Sequence, residues 1–251
     1  MISFLFRLVF IYLTYARATV ATSPEARSDH SSILYNNAMV MFGGWDGSNR
    51  FNDAWTLDLT SDTWEKLETS DTKPSARSGH SSIAYDGKMI MFGGWDGSEK
   101  NDVWTLKLTK NEDNKYAWNE IETSGTKPSA RNGHSSILYN NNMVMVGGHA
   151  HSGLNDAETD VWTLDLTNDP YKWTKRTPSG TKPSTRAWFS SIVYNNQMVI
   201  FGGGIGDSSK NDAWTLNLGS YAWNELEMSG TKPSARNGHS SILYDGKMVT
   251  F

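Results

Sequence analysis

One short phrase, Asp-x-Trp-Thr-Leu, occurs four times in this chain, with its tryptophans at Trp55, Trp104, Trp162 and Trp214. A longer passage recurs around it. Counted from an arginine, the copies open at Arg27, Arg77, Arg131, Arg186 and Arg236, at spacings of 50, 54, 55 and 50 residues. A period of this length means stacked copies of one small unit rather than a single irregular core. Residues repeated in every copy are expected to build the unit. Positions where the copies differ are the better candidates for function.

Each copy reads in the same order. After the arginine comes His-Ser-Ser-Ile, at His30, His80, His134 and His239, with Phe189 in place of the histidine in the fourth copy. A tyrosine follows (Tyr35, Tyr85, Tyr139, Tyr194, Tyr244), then a two-residue polar turn: Asn36-Asn37, Asp86-Gly87, Asn140-Asn141, Asn195-Asn196 and Asp245-Gly246. Asn, Asp and Gly tolerate φ > 0, which a tight hairpin with primed turn geometry requires. The second apolar strand ends in a glycine pair, at Gly43-Gly44, Gly93-Gly94, Gly147-Gly148 and Gly202-Gly203. Such a pair suits a bulge or a close backbone approach. A third strand carries Trp-Thr-Leu and a fourth carries a second tryptophan, at Trp64, Trp118, Trp173 or Trp223. A Lys-Pro-Ser segment then leads to the next arginine. No helical period interrupts the unit.

Four-stranded units at this spacing predict an all-β fold, a β-propeller, whose blades pack face to face around a channel. A lone blade cannot bury its apolar faces, so the units must stack. The two tryptophans of each blade are the expected packing anchors. Each buries about 150–250 Å², worth at most roughly 4–6 kcal/mol. Tyrosine, glycine pair and spaced tryptophan together resemble the kelch-repeat propellers over residues 27–251. The resemblance implies blades at 27–76, 77–130, 131–185 and 186–235, and a partial one at 236–251. That is a kelch-type β-propeller of four complete four-stranded blades plus the first two strands of a fifth. Propellers of this family close with about five to seven blades, inside the general range. The chain is therefore expected to form an incomplete propeller, with unpaired strand edges and a bare apolar face at its open end.

Charge narrows the partners. Lysine and arginine total 23 against 27 aspartates and glutamates, a net charge of −4, so nucleic acid meets no broad cationic field. The chain has no cysteine, which removes disulfides, thiolate metal sites and thiol nucleophiles together. It also removes the cysteine-modified tyrosine cofactor of galactose oxidase, an enzyme whose central domain has similar repeats. No cofactor is expected. Residues 1–22 are mostly apolar, with an uncharged stretch from Leu8 to Ala16. That stretch is too short to span a bilayer but fits the core of a signal peptide, with Ala18 or Ala21 at the cleavage site. The reading predicts a secreted protein without a membrane span. A non-native apolar segment on a cytoplasmic protein is the alternative, and no Asn-x-Ser/Thr sequon adds support to secretion.

Strand parity sorts the loops onto two faces. One carries the short hairpins. The other carries the Gly-Gly-Trp-Asp loops and the Lys-Pro-Ser-Ala-Arg links, and is richer in chemistry. The resemblance implies that Arg27, Arg77, Arg131, Arg186 and Arg236 can contact an acidic peptide at the channel mouth. The competing expectation is that a residue repeated in every blade holds the scaffold together. The recurring histidines are expected to make hydrogen bonds between blades, since a catalytic group is needed once. Asn52-Asp53, Asn101-Asp102 and Asn211-Asp212 are expected to tie down the loop before the third strand through bonds to backbone.

Positions that differ between copies carry the sharper candidates. Trp45-Asp46 and Trp95-Asp96 sit on a polar rim, where tryptophan is hot-spot material for a protein partner. They would serve equally for stacking on a sugar, with the aspartates holding hydroxyls. Copy three replaces this loop with a longer one containing His149, His151, Asp156 and Glu158, a weak metal pattern expected to be a solvated loop. Copy four places Trp188-Phe189 beside the channel where other copies have Gly-His. The leading expectation is a non-catalytic module that binds a protein or peptide on the loop-rich face. A secreted carbohydrate-binding or carbohydrate-modifying module is the alternative, and the step from fold to function is analogy.

Overall fold

A computed structural model describes residues 23–150, 159–206 and 208–251. The apolar segment 1–22, together with His151, Asp156 and Glu158, lies outside them. Among the described residues all regular structure is β. The first repeat is a meander of Ser31–Tyr35, Ala38–Phe42, Ala54–Asp58 and Thr63–Lys66, hydrogen-bonded in chain order. The second uses Ser81–Tyr85, Lys88–Trp95, Glu99–Lys107 and Trp118–Glu120. The third uses Ser135–Tyr139, Asn142–Val146, Val161–Asp165 and Lys172–Arg176. The fourth uses Ser190–Tyr194, Gln197–Phe201, Ala213–Asn217 and Ala222–Leu226. Ser241–Tyr244 and Lys247–Thr250 form a further hairpin. No helix among these residues is long and apolar enough to cross a membrane.

The hairpins have the geometry their turn residues predict. Asn36 and Asn37 take φ of 45° and 62°, and Asp86 and Gly87 take 46° and 67°. Positive φ at both central positions is the primed turn whose twist matches the flanking strands. It sets the register Tyr35↔Ala38 and Tyr85↔Lys88. A one-residue slip would turn every core side chain outward.

That register gives each sheet two apolar faces of different character. In the first sheet Ile33, Val40, Phe42, Ala54 and Leu67 share one face. Against it pack Met89, Met91, Trp104, Leu106, Leu108 and Trp118 of the second sheet. The arrangement repeats twice more, so each cluster joins two consecutive sheets. In the second, third and fourth blades both tryptophans stand on the methionine-leucine face and anchor the blade to the preceding one. Where no described neighbour lies against a face, it stays open: Ile242 is 50% exposed, while its counterparts Ile33, Ile83, Ile137 and Ile192 are between 5% and 8%.

The outer edges of the second, third and fourth blades are covered as well. The link leaving one blade runs parallel to the fourth strand of the next, at Thr69–Tyr116, Ser124–Lys172 and Ser179–Ala222. Backbone groups that would template another chain are thereby paired.

The glycine pairs lie at the blade contacts. Gly44 donates its N–H to the Arg77 carbonyl of the next blade at 2.9 Å, and Gly203 does the same to Arg236. Gly43 has a φ of 67°, and a Cβ there would stand 2.7 Å from the Arg77 carbonyl oxygen. Gly43→Ala is therefore expected to destabilise by about 1–3 kcal/mol in urea denaturation, through backbone strain and overlap together.

Candidate functional site

The frame arginines are tied into the scaffold. Arg77, Arg131 and Arg186 are at most 1% exposed. Arg77 Nη1 and Nη2 donate to the two oxygens of Asp102 at 2.7 and 2.9 Å, and Nη1 also reaches the Gly93 carbonyl at 3.0 Å. Arg131 forks onto Asp160 and Arg186 onto Asp212 in the same way. Arg27 pairs with Asp53. Each of these aspartates also accepts the indole N–H of the tryptophan two residues on. Burial pushes the carboxyls of Asp53, Asp102 and Asp212 up. Hydrogen bonds from arginine and tryptophan outweigh it and hold them below the usual range.

This differs from the expected roles in two ways. The aspartates bind side chains rather than loop backbone, while Asn101 and Asn211 reach the carbonyls of Pro128 and Pro233. The arginine side chain stays inside its own blade, and its backbone joins the previous one: the Arg77 N–H donates to the Phe51 carbonyl and the Arg77 carbonyl accepts from Gly44. Four of the five arginines have their donors engaged in this way. Arg236 differs: it is half-buried and its guanidinium contacts Ser234.

The histidines His30, His80, His134 and His239 line one cavity. His80 Nε2 lies 3.2 Å from the carbonyl of Phe42 in the preceding blade, and His239 Nε2 lies 2.8 Å from Ser190 Oγ. Each ring packs edge-on against a phenylalanine, His80 on Phe42, His134 on Phe92 and His239 on Phe201. Burial, reinforced by the adjacent arginine, lowers the pKa of His80 and His134 to about 3. Both are neutral at pH 7. In the fourth copy Phe189 replaces the histidine and Val146 replaces the phenylalanine it would meet, so the larger ring faces the smaller partner within one cluster.

The loops of the chemistry-rich face come together around the blade entries, as strand parity predicts. Ser28 bridges Trp45, Ser78 bridges Trp95, Asn132 pairs with His149 and Ala187 with Gly204. Trp45 is 39% exposed, while Trp95 is half-buried with the Arg50 guanidinium 6.0 Å over its ring. Asp46 accepts the N–H groups of Ser48 and Asn49 at 2.7 and 2.6 Å. Asp96 accepts from Ser75 Oγ at 2.7 Å and pairs with Lys100. Both carboxylates already hold their own loops, which weakens the sugar-hydroxyl role. His149 lies 3.5 Å from Glu99, a residue the sequence reading did not single out.

A second ring lies just inside. Asp29, Gly79, Gly133, Trp188 and Gly238 occupy the same place in their copies, two residues after the arginine. All five have positive φ, from 57° to 68°. Their backbones are linked blade to blade: Gly79 N to Asp29 O, Gly133 N to Gly79 O, Trp188 N to Gly133 O and Gly238 N to Trp188 O, at 2.7–2.9 Å. Tryptophan at a φ of 59° carries a backbone cost of about 1–2 kcal/mol that glycine avoids. Strain of this kind collects at functional sites. The sequence signal was available: three glycines at a fixed place mark a left-handed position, and Asp29 and Trp188 depart from it. These residues border a cavity of about 480 Å³ at the channel, lined also by His30, His80 and His134.

The family model described as "KLHDC2/KLHL20/DRC7 Kelch-repeats domain" matches residues 12–148 and 114–251. A leucine-zipper-like transcriptional regulator 1 homolog of Drosophila melanogaster is 29% identical over 194 residues, 74% of this chain and 19% of that protein. Acyl-CoA-binding domain-containing protein 4 of Arabidopsis thaliana is 28% identical over 81% of this chain and 31% of its own length. Tip elongation aberrant protein 1 of Schizosaccharomyces pombe (strain 972 / ATCC 24843) is 30% identical over 45% of this chain and 9% of its own length. The chain spans less than a third of each of these curated relatives.

Proposed function

This chain belongs to the kelch-repeat family, and we propose that it is a non-catalytic interaction module that binds a protein or peptide on its loop-rich face. The blade order we assign is four complete blades followed by the opening hairpin of a fifth. The observation that carries the functional reading is the division of labour among residues. Arg27, Arg77, Arg131 and Arg186, with the aspartates they meet, are engaged inside the blades, while Trp45, Trp95, His149 and Trp188 differ between copies, the first three on loops paired to the blade entries and Trp188 at the cavity. Exposed aromatics beside a polar rim are what protein partners use as anchors.

The relatives support a module attached to differing activities. The printed names of the three share no activity, and the matched part is a minority of each protein.

Affinity isolation with the paired variant Trp45→Ala/Trp95→Ala tests the reading. A specific partner retained by the wild type is expected to fall about tenfold or more in the variant and to persist in the hairpin-face control Asp86→Ser. Equal losses in both variants, or none in either, would remove the loop face from the proposal.

A further inference from the structure

Trp188 and Asp29 are the two members of the inner ring that depart from glycine, and the fold brings them to one cavity. The Trp188 indole lies across the neighbouring glycines. A Cβ on Gly79 would stand 2.7 Å from its Cη2, and one on Gly133 2.8 Å from its Cε2. The ring thus takes up room that two glycines leave. Its far edge reaches Gly79, whose N–H donates to the Asp29 carbonyl at 2.9 Å. Asp29 lines the same cavity.

The charges around the cavity do not balance. Arg27 is paired with Asp53, His80 and His134 are neutral at pH 7, and burial, then the charge of Arg27, lowers the pKa of His30 against the pull of Asp29. Asp29 accepts Ser28 Oγ at 3.4 Å, and among the described residues no cation stands within ion-pair reach of it. Burial holds its carboxyl above the ordinary aspartate value, against the lowering effects of the Ser28 hydrogen bond and of His30. A carboxylate without an ion-pair partner and an aromatic ring that line one cavity both attract an ammonium or guanidinium group, the one by charge and the other by its quadrupole.

We propose that the channel mouth captures a lysine or arginine side chain of the bound partner, stacked on Trp188 and neutralised by Asp29. This deepens the interaction-module reading and rests on it. It also replaces the acidic partner with a cationic one at this position, because the arginines that favoured acid are engaged inside the blades.

The test uses the pentapeptides Gly-Ser-Lys-Ser-Gly, Gly-Ser-Arg-Ser-Gly and Gly-Ser-Glu-Ser-Gly, titrated while the indole N–H signals are followed by NMR. Trp188 is assigned by the signal missing from Trp188→Gly, a variant that restores the residue most other copies carry. The two cationic peptides are expected to shift the Trp188 signal with roughly millimolar affinity and the glutamate peptide to leave it in place. Asp29→Asn is expected to weaken lysine-peptide binding about fivefold or more. n-Butylammonium is expected to bind more weakly than the lysine peptide; equal affinity would assign the cavity to free amines and overturn a peptide ligand. An equal shift with the glutamate peptide, or unchanged affinity in Asp29→Asn, would also overturn the proposal. If these fail while loss of the partner in Trp45→Ala/Trp95→Ala persists, the module reading stands and only the cation pocket falls.

Discussion

Arg131→Ala is expected to cost the fold about 3–5 kcal/mol, because it takes a two-pronged guanidinium away from a buried carboxylate. Arg131 is 1% exposed and donates to Asp160, to the Gly147 carbonyl at 2.8 Å and to Ser129. The Asp160 side chain is 8% exposed. Its Trp162 N–H and a Lys175 at 4.0 Å do not replace a two-pronged guanidinium. Arg131→Lys keeps the charge but not the fork, and is expected to recover less than half of the loss. Arg236→Ala is the internal comparison. It removes contacts to Ser234 alone on a half-buried side chain, and should change stability by less than about 0.5 kcal/mol. Urea denaturation of the three variants gives the answer. A stable, fully folded Arg131→Ala that loses a partner instead would return the arginines to the binding face.

Much of this organisation could be read from residue types, because local chemistry dictated it. Asn36-Asn37 and Asp86-Gly87 permit few structures other than a primed turn, and the turn fixes the register of everything after it. The glycine pair signalled a close approach, and the Arg77 carbonyl is what approaches Gly43. What could not be read was which partner each polar group would choose. Arginine and aspartate recur with one period, so spacing alone cannot say whether Arg77 meets Asp102 of its own blade or Asp53 of the one before. Packing decides: the fork and the Trp104 N–H converge on Asp102. The parallel link along each outer strand escaped the reading for a similar reason. Its pairing at Thr69–Tyr116 is made by backbone, which leaves no mark on side-chain type. At the site, Trp45 and Trp188 were legible as departures from the repeat. Asp29 was passed over, although three later copies carry glycine at its place and its φ of 57° matches theirs.

Acidification from pH 7 to pH 5 is expected to cost about 4 kcal/mol of stability, from two histidines alone. His80 and His134 are buried, and their pKa falls from 6.5 to about 3 through desolvation first and the charge of Arg77 or Arg131 second. In the unfolded chain both take up protons near pH 6.5. In the folded chain neither does until about pH 3. Their contribution is therefore complete above pH 6.5 and is lost as pH falls, by about 1.4 kcal/mol per pH unit for each ring. At pH 5 that is about 2 kcal/mol apiece, a large part of the 5–15 kcal/mol typical of a folded domain. The lowered carboxyls of Asp53, Asp102 and Asp212 act in the same direction, but only once pH falls below their ordinary value of 3.8. The fold itself supplies a control. Phe92→Val/His134→Phe rebuilds in the second and third blades the valine–phenylalanine pair that Val146 and Phe189 already form. It removes one titrating ring while conserving apolar contact, and should halve the loss to about 2 kcal/mol between pH 7 and pH 5. Urea midpoints at the two pH values measure both quantities. Equal stability at pH 7 and pH 5 in the unaltered protein would mean that the imidazoles are solvated, and the channel wall would have to be more open than these contacts allow.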